Sequence, residues 1–173
     1  SPHFNFVSHF GDHPNFIAAV GENLKKVRRS LDCPKNSPVL FTAHSLPKAW
    51  VDNVDPYLTQ LHASAQSVAQ QIGLRSTQWQ LCFQSAGARR GVWLGPSVDT
   101  TLQKLAENGT TEVTVAPFGF VAENVEILFD IDIQLKEYAD SLGVRIVRPP
   151  SLDSDYGLIT ALADRVQDAI AGS

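Results

Sequence analysis

A histidine stands at the end of an apolar, β-type run in Phe41-Thr42-Ala43-His44-Ser45-Leu46-Pro47, followed by a hydroxyl and a proline-stopped loop. The crevice outside the carboxyl ends of parallel strands is where α/β folds bind ligands. Imidazole is both a metal ligand and a proton acceptor near neutral pH. Candidate partners lie on a helix expected over about Val121 to Leu142. At about 100° per residue, Glu126, Asp130 and Glu137 fall within roughly 40° of arc, flanked by Glu123 and Gln134. Opposite them, Ile127, Leu128, Ile131, Leu135 and Tyr138 make a face to pack on a sheet. Carboxylates facing a neutral imidazole would bind a divalent cation with it, or carry away protons that it strips. The plain alternatives are a solvated helix face and a turn histidine bonded to backbone.

The third element is the loop Gln84-Ser85-Ala86-Gly87-Ala88-Arg89-Arg90-Gly91-Val92-Trp93-Leu94-Gly95-Pro96. Its glycines permit close backbone approach, and Trp93 offers a flat apolar surface, either as a loop anchor or as a ligand wall. Phe118-Gly119-Phe120 adds two aromatics, so a flat aromatic ligand would suit the cleft. Phosphate-loop and nucleophile-elbow motifs are absent. Ser45 is expected to cap the turn or orient the imidazole. His3, His9, His13 and His62 are weaker candidates.

These residues need a scaffold that gathers them. A helix is expected from Asp12-His13-Pro14, with Phe16, Ile17, Val20, Leu24 and Val27 at helical spacing, stopping before Cys33-Pro34. Apolar runs at Val39-Ala43, Trp79-Phe83, Val113-Ala116 and Val144-Val147 then alternate with amphipathic stretches. Asp55-Pro56 starts one helix, Gly73, Gly109 and Gly143 sit where helices end, and a last helix covers about Asp155 to Ile170. The alternation predicts an α/β fold, a parallel sheet of about four strands with helices on its faces and right-handed crossovers. His44, Gln84-Ser85 and Pro117-Phe118 then project from one sheet edge.

The 173 residues suffice for one core, and 43% hydrophobic with 18% charged residues excludes a disordered chain. No apolar run reaches the roughly 18 residues of a membrane helix, and no signal peptide is visible. A net charge of -4, with only Lys25-Lys26-Val27-Arg28-Arg29 and Arg89-Arg90 as basic clusters, argues against nucleic acid. Cys33 and Cys82 fit no zinc or disulfide framework and suit a reducing compartment. The absence of methionine, an initiator included, points to a processed or excised chain.

In order, Phe41 to Pro47, Asp55-Pro56-Tyr57, Gln84-Ser85 with Trp93-Leu94-Gly95-Pro96, Pro117 to Phe120 and Glu126 to Asp132 resemble the C-terminal half of ferrochelatase, from about Val7-Ser8-His9 to Leu162-Ala163. The resemblance implies a chelatase-like three-layer α/β domain over 37–173, with an N-terminal helical segment, 1–36, packing on it. It implies insertion of ferrous iron into a porphyrin in haem formation, with Fe2+ as substrate ion and no iron-sulfur cluster. By the same resemblance His44 and Glu126 are catalytic, His44, Glu126 and Asp130 are metal contacts, and Ser45, Trp93, Phe120 and Asn124 are porphyrin contacts. Asn124 stands where many family members carry a second histidine.

The chain is about half a usual ferrochelatase. The implied partner is therefore an N-terminal ferrochelatase domain or a second copy of the chain, alongside porphyrin and divalent metal. The implied location is cytoplasmic, with peripheral membrane contact left open. The alternatives are a non-catalytic tetrapyrrole- or metal-binding half-domain and a cobalt chelatase-like homodimer. Protoporphyrin and coproporphyrin are not distinguished.

Overall fold

A computed structural model describes residues 4, 6–7, 9–51, 55–87 and 91–171 of the chain. His3, Ser8 and Ala88-Arg89-Arg90 lie outside the described residues. Helix α1 spans Pro14–Ser30. His13 caps it, its Nδ1 accepting the Asn15 N–H at 3.2 Å, and Pro14 occupies the first turn, where a missing N–H costs little. The elements β1 (Val39–His44), α2 (Tyr57–Gln71), β2 (Trp79–Gln84), α3 (Val98–Glu107) and β3 (Glu112–Ala116) follow. A π-helix, Ile127–Leu135, then runs directly into α4 (Lys136–Ser141), before β4 (Arg145–Val147) and α5 (Tyr156–Ala171). As the sequence leads one to expect, Asp55 helps to start α2, its Oδ1 accepting the Tyr57 N–H at 2.8 Å.

The four strands pair in parallel in the order β2-β1-β3-β4. Both faces of the sheet are covered, and every position of β1 but His44 is buried. On one side Val39 and Phe41 join Phe16, Val20 and Leu24 of α1, Val68 of α2 and Leu158 of α5. On the other Leu40, Cys82 and Val115 meet Leu102 of α3 and Ile131 and Leu135 of the π-helix. The result is the expected three-layer α/β arrangement. The strand order reverses direction between β1 and β3, and ligand crevices of such sheets open at that kind of switch point.

Gly119, just beyond β3, closes the sheet edge at this point. Its N–H donates to the Thr42 carbonyl at 3.2 Å, and a Cβ there would stand 2.7 Å from the Ala43 Cβ. Only a residue without a side chain lets the loop cross the end of β1 so closely.

The helix after β3 departs from the expected α-helix. Its Lys136 N–H bonds the Ile131 carbonyl, five residues back, and that wider winding changes which residues share a face. Side chains fall into rows of every fourth residue. Ile127, Ile131 and Leu135 are buried on the sheet, Glu126, Asp130 and Gln134 line a cavity, and Val125, Phe129 and Ile133 are exposed. Two expectations are corrected accordingly. Leu128, expected against the sheet, is 47% exposed, and Glu137 leaves the acidic row, whose third place Gln134 takes.

Candidate functional site

The register pairs His44 directly with Gln84 at the carboxyl ends of β1 and β2. Tyr57 holds the end of β1 from α2, its hydroxyl donating to the His44 carbonyl at 2.8 Å. The imidazole itself is oriented by backbone. Its Nδ1 lies 2.5 Å from the Ser45 carbonyl oxygen, which can only accept, so Nδ1 carries the proton. The other nitrogen, Nε2, faces Glu126 Oε2 at 3.6 Å. That oxygen is shielded from solvent and accepts no hydrogen bond from the described residues. In the neutral tautomer two lone pairs therefore confront one another, an arrangement satisfied by a proton or a cation between them.

Below this pair lies a cavity of about 620 Å³, lined among others by His44, Ser85, Asp99, Glu126, Asp130 and Gln134. Its size falls in the range of small-molecule sites. Ser85 has a left-handed backbone, φ 58°, unusual for a residue with a Cβ. That twist aims its hydroxyl at Asp130, to which it donates a short hydrogen bond. Gln84 is buried, with Oε1 accepting from Thr42 Oγ1 at 2.6 Å. Partial desolvation raises the Asp99 carboxyl above its ordinary value, against an opposing bond from its own backbone, and the charge of Asp130 adds to the rise. Asp99 escapes a sequence reading because it sits in the first turn of α3, where acidic residues are ordinary.

Asp130 thus shares the cavity with His44 and Glu126 but bonds Ser85. Among the described residues no group of three His, Cys, Asp or Glu side chains converges closely enough to hold a metal ion. The expected three-residue metal set is therefore a facing pair with a third carboxylate set apart.

Of the other anticipated contacts, Phe120 lies beside the imidazole, ring centroids 6.5 Å apart. Trp93 belongs to a loop laid against the His44 loop. Pro47 and Trp93 form an antiparallel bridge, supported by Lys48 N to Val92 O at 2.8 Å and Leu94 N to Leu46 O at 2.9 Å. Ser45 is 1% exposed, and its hydroxyl donates to the Leu94 carbonyl at 2.9 Å, so it ties the two loops together instead of orienting the imidazole through Oγ. Asn124 is committed locally. Its Oδ1 accepts the Ile127 N–H at 3.1 Å, an N-cap for the acidic helix, and its Nδ2 donates to the Ala122 carbonyl at 3.2 Å. These hydrogen bonds make Ser45 and Asn124 supports of the loops and helix that form the site.

Both cysteines are free thiols. Burial pushes Cys82 up to about 11, and burial with a hydrogen bond to Glu112 also raises Cys33.

The chain is similar to known proteins in sequence and in fold. A ferrochelatase family profile matches residues 1–170. A ferrochelatase of Deinococcus radiodurans is 39% identical over 166 residues, covering 95% of this chain and 52% of the relative. One of Thermus thermophilus is 36% identical, covering 96% and 52%. The chain spans about half the length of these relatives. Among solved structures, a putative cobalamin (vitamin B12) biosynthesis CbiX protein of Marinobacter aquaeolei superposes with a TM-score of 0.53 at 17% identity, covering 79% of this chain and 99% of that one. That likeness concerns the fold alone. The profile match and the two relatives establish that the chain belongs to the ferrochelatase family.

Proposed function

We propose that this chain supplies the proton-accepting and cation-handling wall of a ferrochelatase, which inserts Fe2+ into a porphyrin and releases two protons. The observation that carries the reading is the 3.6 Å gap between His44 Nε2 and Glu126 Oε2, with Nδ1 already committed to the Ser45 carbonyl. His44 takes a pyrrole proton at Nε2, and the Glu126 carboxylate stabilises the resulting imidazolium. Asp130, held by Ser85, and Asp99 make the cavity favourable to a cation. A substrate ion must leave again, and a site short of three converging ligands suits passage better than storage. Phe120 and Trp93 form aromatic walls for the macrocycle.

The opposing wall of the cleft comes from a second domain, an N-terminal ferrochelatase domain or a second copy of this chain. The substrate ion is iron, with cobalt as the competing choice. The working location is the cytoplasm, with peripheral membrane contact. No helix among the described residues is long and apolar enough to cross a membrane.

A second reading is a half-domain that binds a tetrapyrrole or a divalent ion without turnover. It is favoured by the chain spanning about half of its relatives. Porphyrin titration by absorbance, with Fe2+ and Zn2+ insertion followed in parallel, separates the two. Metallation that fails in Glu126→Gln while binding persists supports the enzyme. Binding with no product in the wild-type chain supports the module.

A further inference from the structure

Of the acidic residues of the cavity, Asp130 stands on a π-helix nine residues long and Glu126 directly precedes it, whereas such windings are mostly single-turn bulges. A segment of that length needs ties from outside. Ser85 and Asn124 supply two, at Asp130 and at the N-terminus. The strongest comes from Arg148, the residue that follows β4. Its side chain is 15% exposed, and its guanidinium grips the segment from both sides of the cavity row. Nε and Nη2 donate to the two oxygens of Asp132 at 2.5 and 2.6 Å, a bidentate fork. Nη1 donates to Glu123 Oε1 at 2.9 Å and to the Pro149 carbonyl at 3.1 Å. Glu123 lies three residues before Glu126, and Asp132 two residues after Asp130.

The far side of the tie is anchored as well. Glu123 Oε1 also accepts the Ser151 N–H at 2.8 Å, the Glu123 N–H donates to Asp153 Oδ1 at 3.0 Å, and the Asp153 N–H donates to the Val121 carbonyl at 2.8 Å. The loop entering the π-helix and the loop leaving β4 are thus strapped to one guanidinium. None of these groups touches the cavity, and the partners lie 16 and 25 residues from Arg148 in the chain.

We propose that Arg148 is a positioning residue that holds the π-helix in register, so that Glu126 faces His44 and Asp130 faces Ser85. This rests on the proposed chelation chemistry, in which those two carboxylates act. A bidentate grip is what a lysine cannot reproduce, since it offers a point charge in place of a planar fork.

The test compares Arg148→Lys and Asp132→Asn with the wild-type chain by porphyrin metallation kinetics, thermal melting and amide hydrogen exchange resolved by segment. Asp132→Asn is nearly isosteric and keeps the measurement informative should Arg148→Lys fail to fold. The expected result is a fall in kcat of about a hundredfold, the scale of a 1 Å misplacement, with the porphyrin KM within about twofold. Exchange rises over 127–135 while β1 and α3 keep their protection. A kcat within about twofold of wild type in a folded variant, or exchange over 127–135 that does not change, overturns the proposal. Should the wild-type chain metallate no porphyrin, the proposed function falls, and exchange over 127–135 alone then decides for or against the role of Arg148.

Discussion

His44 Nε2 and Glu126 Oε2 face each other at 3.6 Å, one from the end of a parallel strand and the other from the first turn of a helix more than eighty residues later. The distance is longer than a hydrogen bond and short enough for one proton or cation to satisfy both groups. Every feature around it keeps the two groups apart yet aligned. The Ser45 carbonyl fixes the ring, Tyr57 fixes the strand end, and Asn124 starts the helix that carries Glu126.

Gly119→Ala places a Cβ 2.7 Å from Ala43 Cβ and 2.9 Å from Ala43 Cα, with backbone on both sides of the contact. Overpacking of this kind costs about 1–3 kcal/mol. Chemical denaturation should show that loss, and an unchanged midpoint would mean that the Gly119 loop is free to move off β1.

Asn124→Ala removes the cap from the acidic helix and should cost about 1 kcal/mol, whereas Asn124→Ser should restore most of it. The comparison is made by denaturant unfolding at neutral pH. Equal losses in both variants would contradict the capping role.

Much of this site is legible in the residues themselves. Alternating apolar runs and amphipathic stretches put His44, Ser85 and Phe120 at one sheet edge, because parallel strands all end on the same side. The π winding is not legible, since Ile127, Leu128, Ile131 and Leu135 fit an α-helical stripe equally well, and that is why Leu128 and Glu137 fall on other faces than expected. Arg148 is hidden for a different reason. Its partners are distant in sequence, so no local spacing marks them, and it follows a strand of only three residues. Asn124 carries the local signature of an N-cap before Val125-Glu126, and only the likeness to a histidine position draws attention away from it.

Glu123 gives the protein an acid-sensitive contact. Burial alone would raise its carboxyl, but the Ser151 N–H and the Arg148 guanidinium outweigh that and hold it below its ordinary 4.5. The folded value lies below the unfolded one, so the contribution is present at neutral pH and is lost as pH falls through the depressed value. Unfolding midpoints measured from pH 7 downward should show wild type more stable than Glu123→Gln at pH 7. The gap should begin to narrow near the unfolded carboxyl value, about pH 4, and close as pH falls through the depressed folded value. A gap independent of pH would show that the charge contributes nothing.

The central claim, that His44 accepts a porphyrin proton across the gap to Glu126, is tested most directly by the initial rate of Fe2+ insertion in wild type and His44→Ala at saturating porphyrin. Loss of a positioned general base predicts a fall in kcat of about 10²–10⁴-fold with porphyrin binding retained. Equal rates in the two proteins would contradict the account.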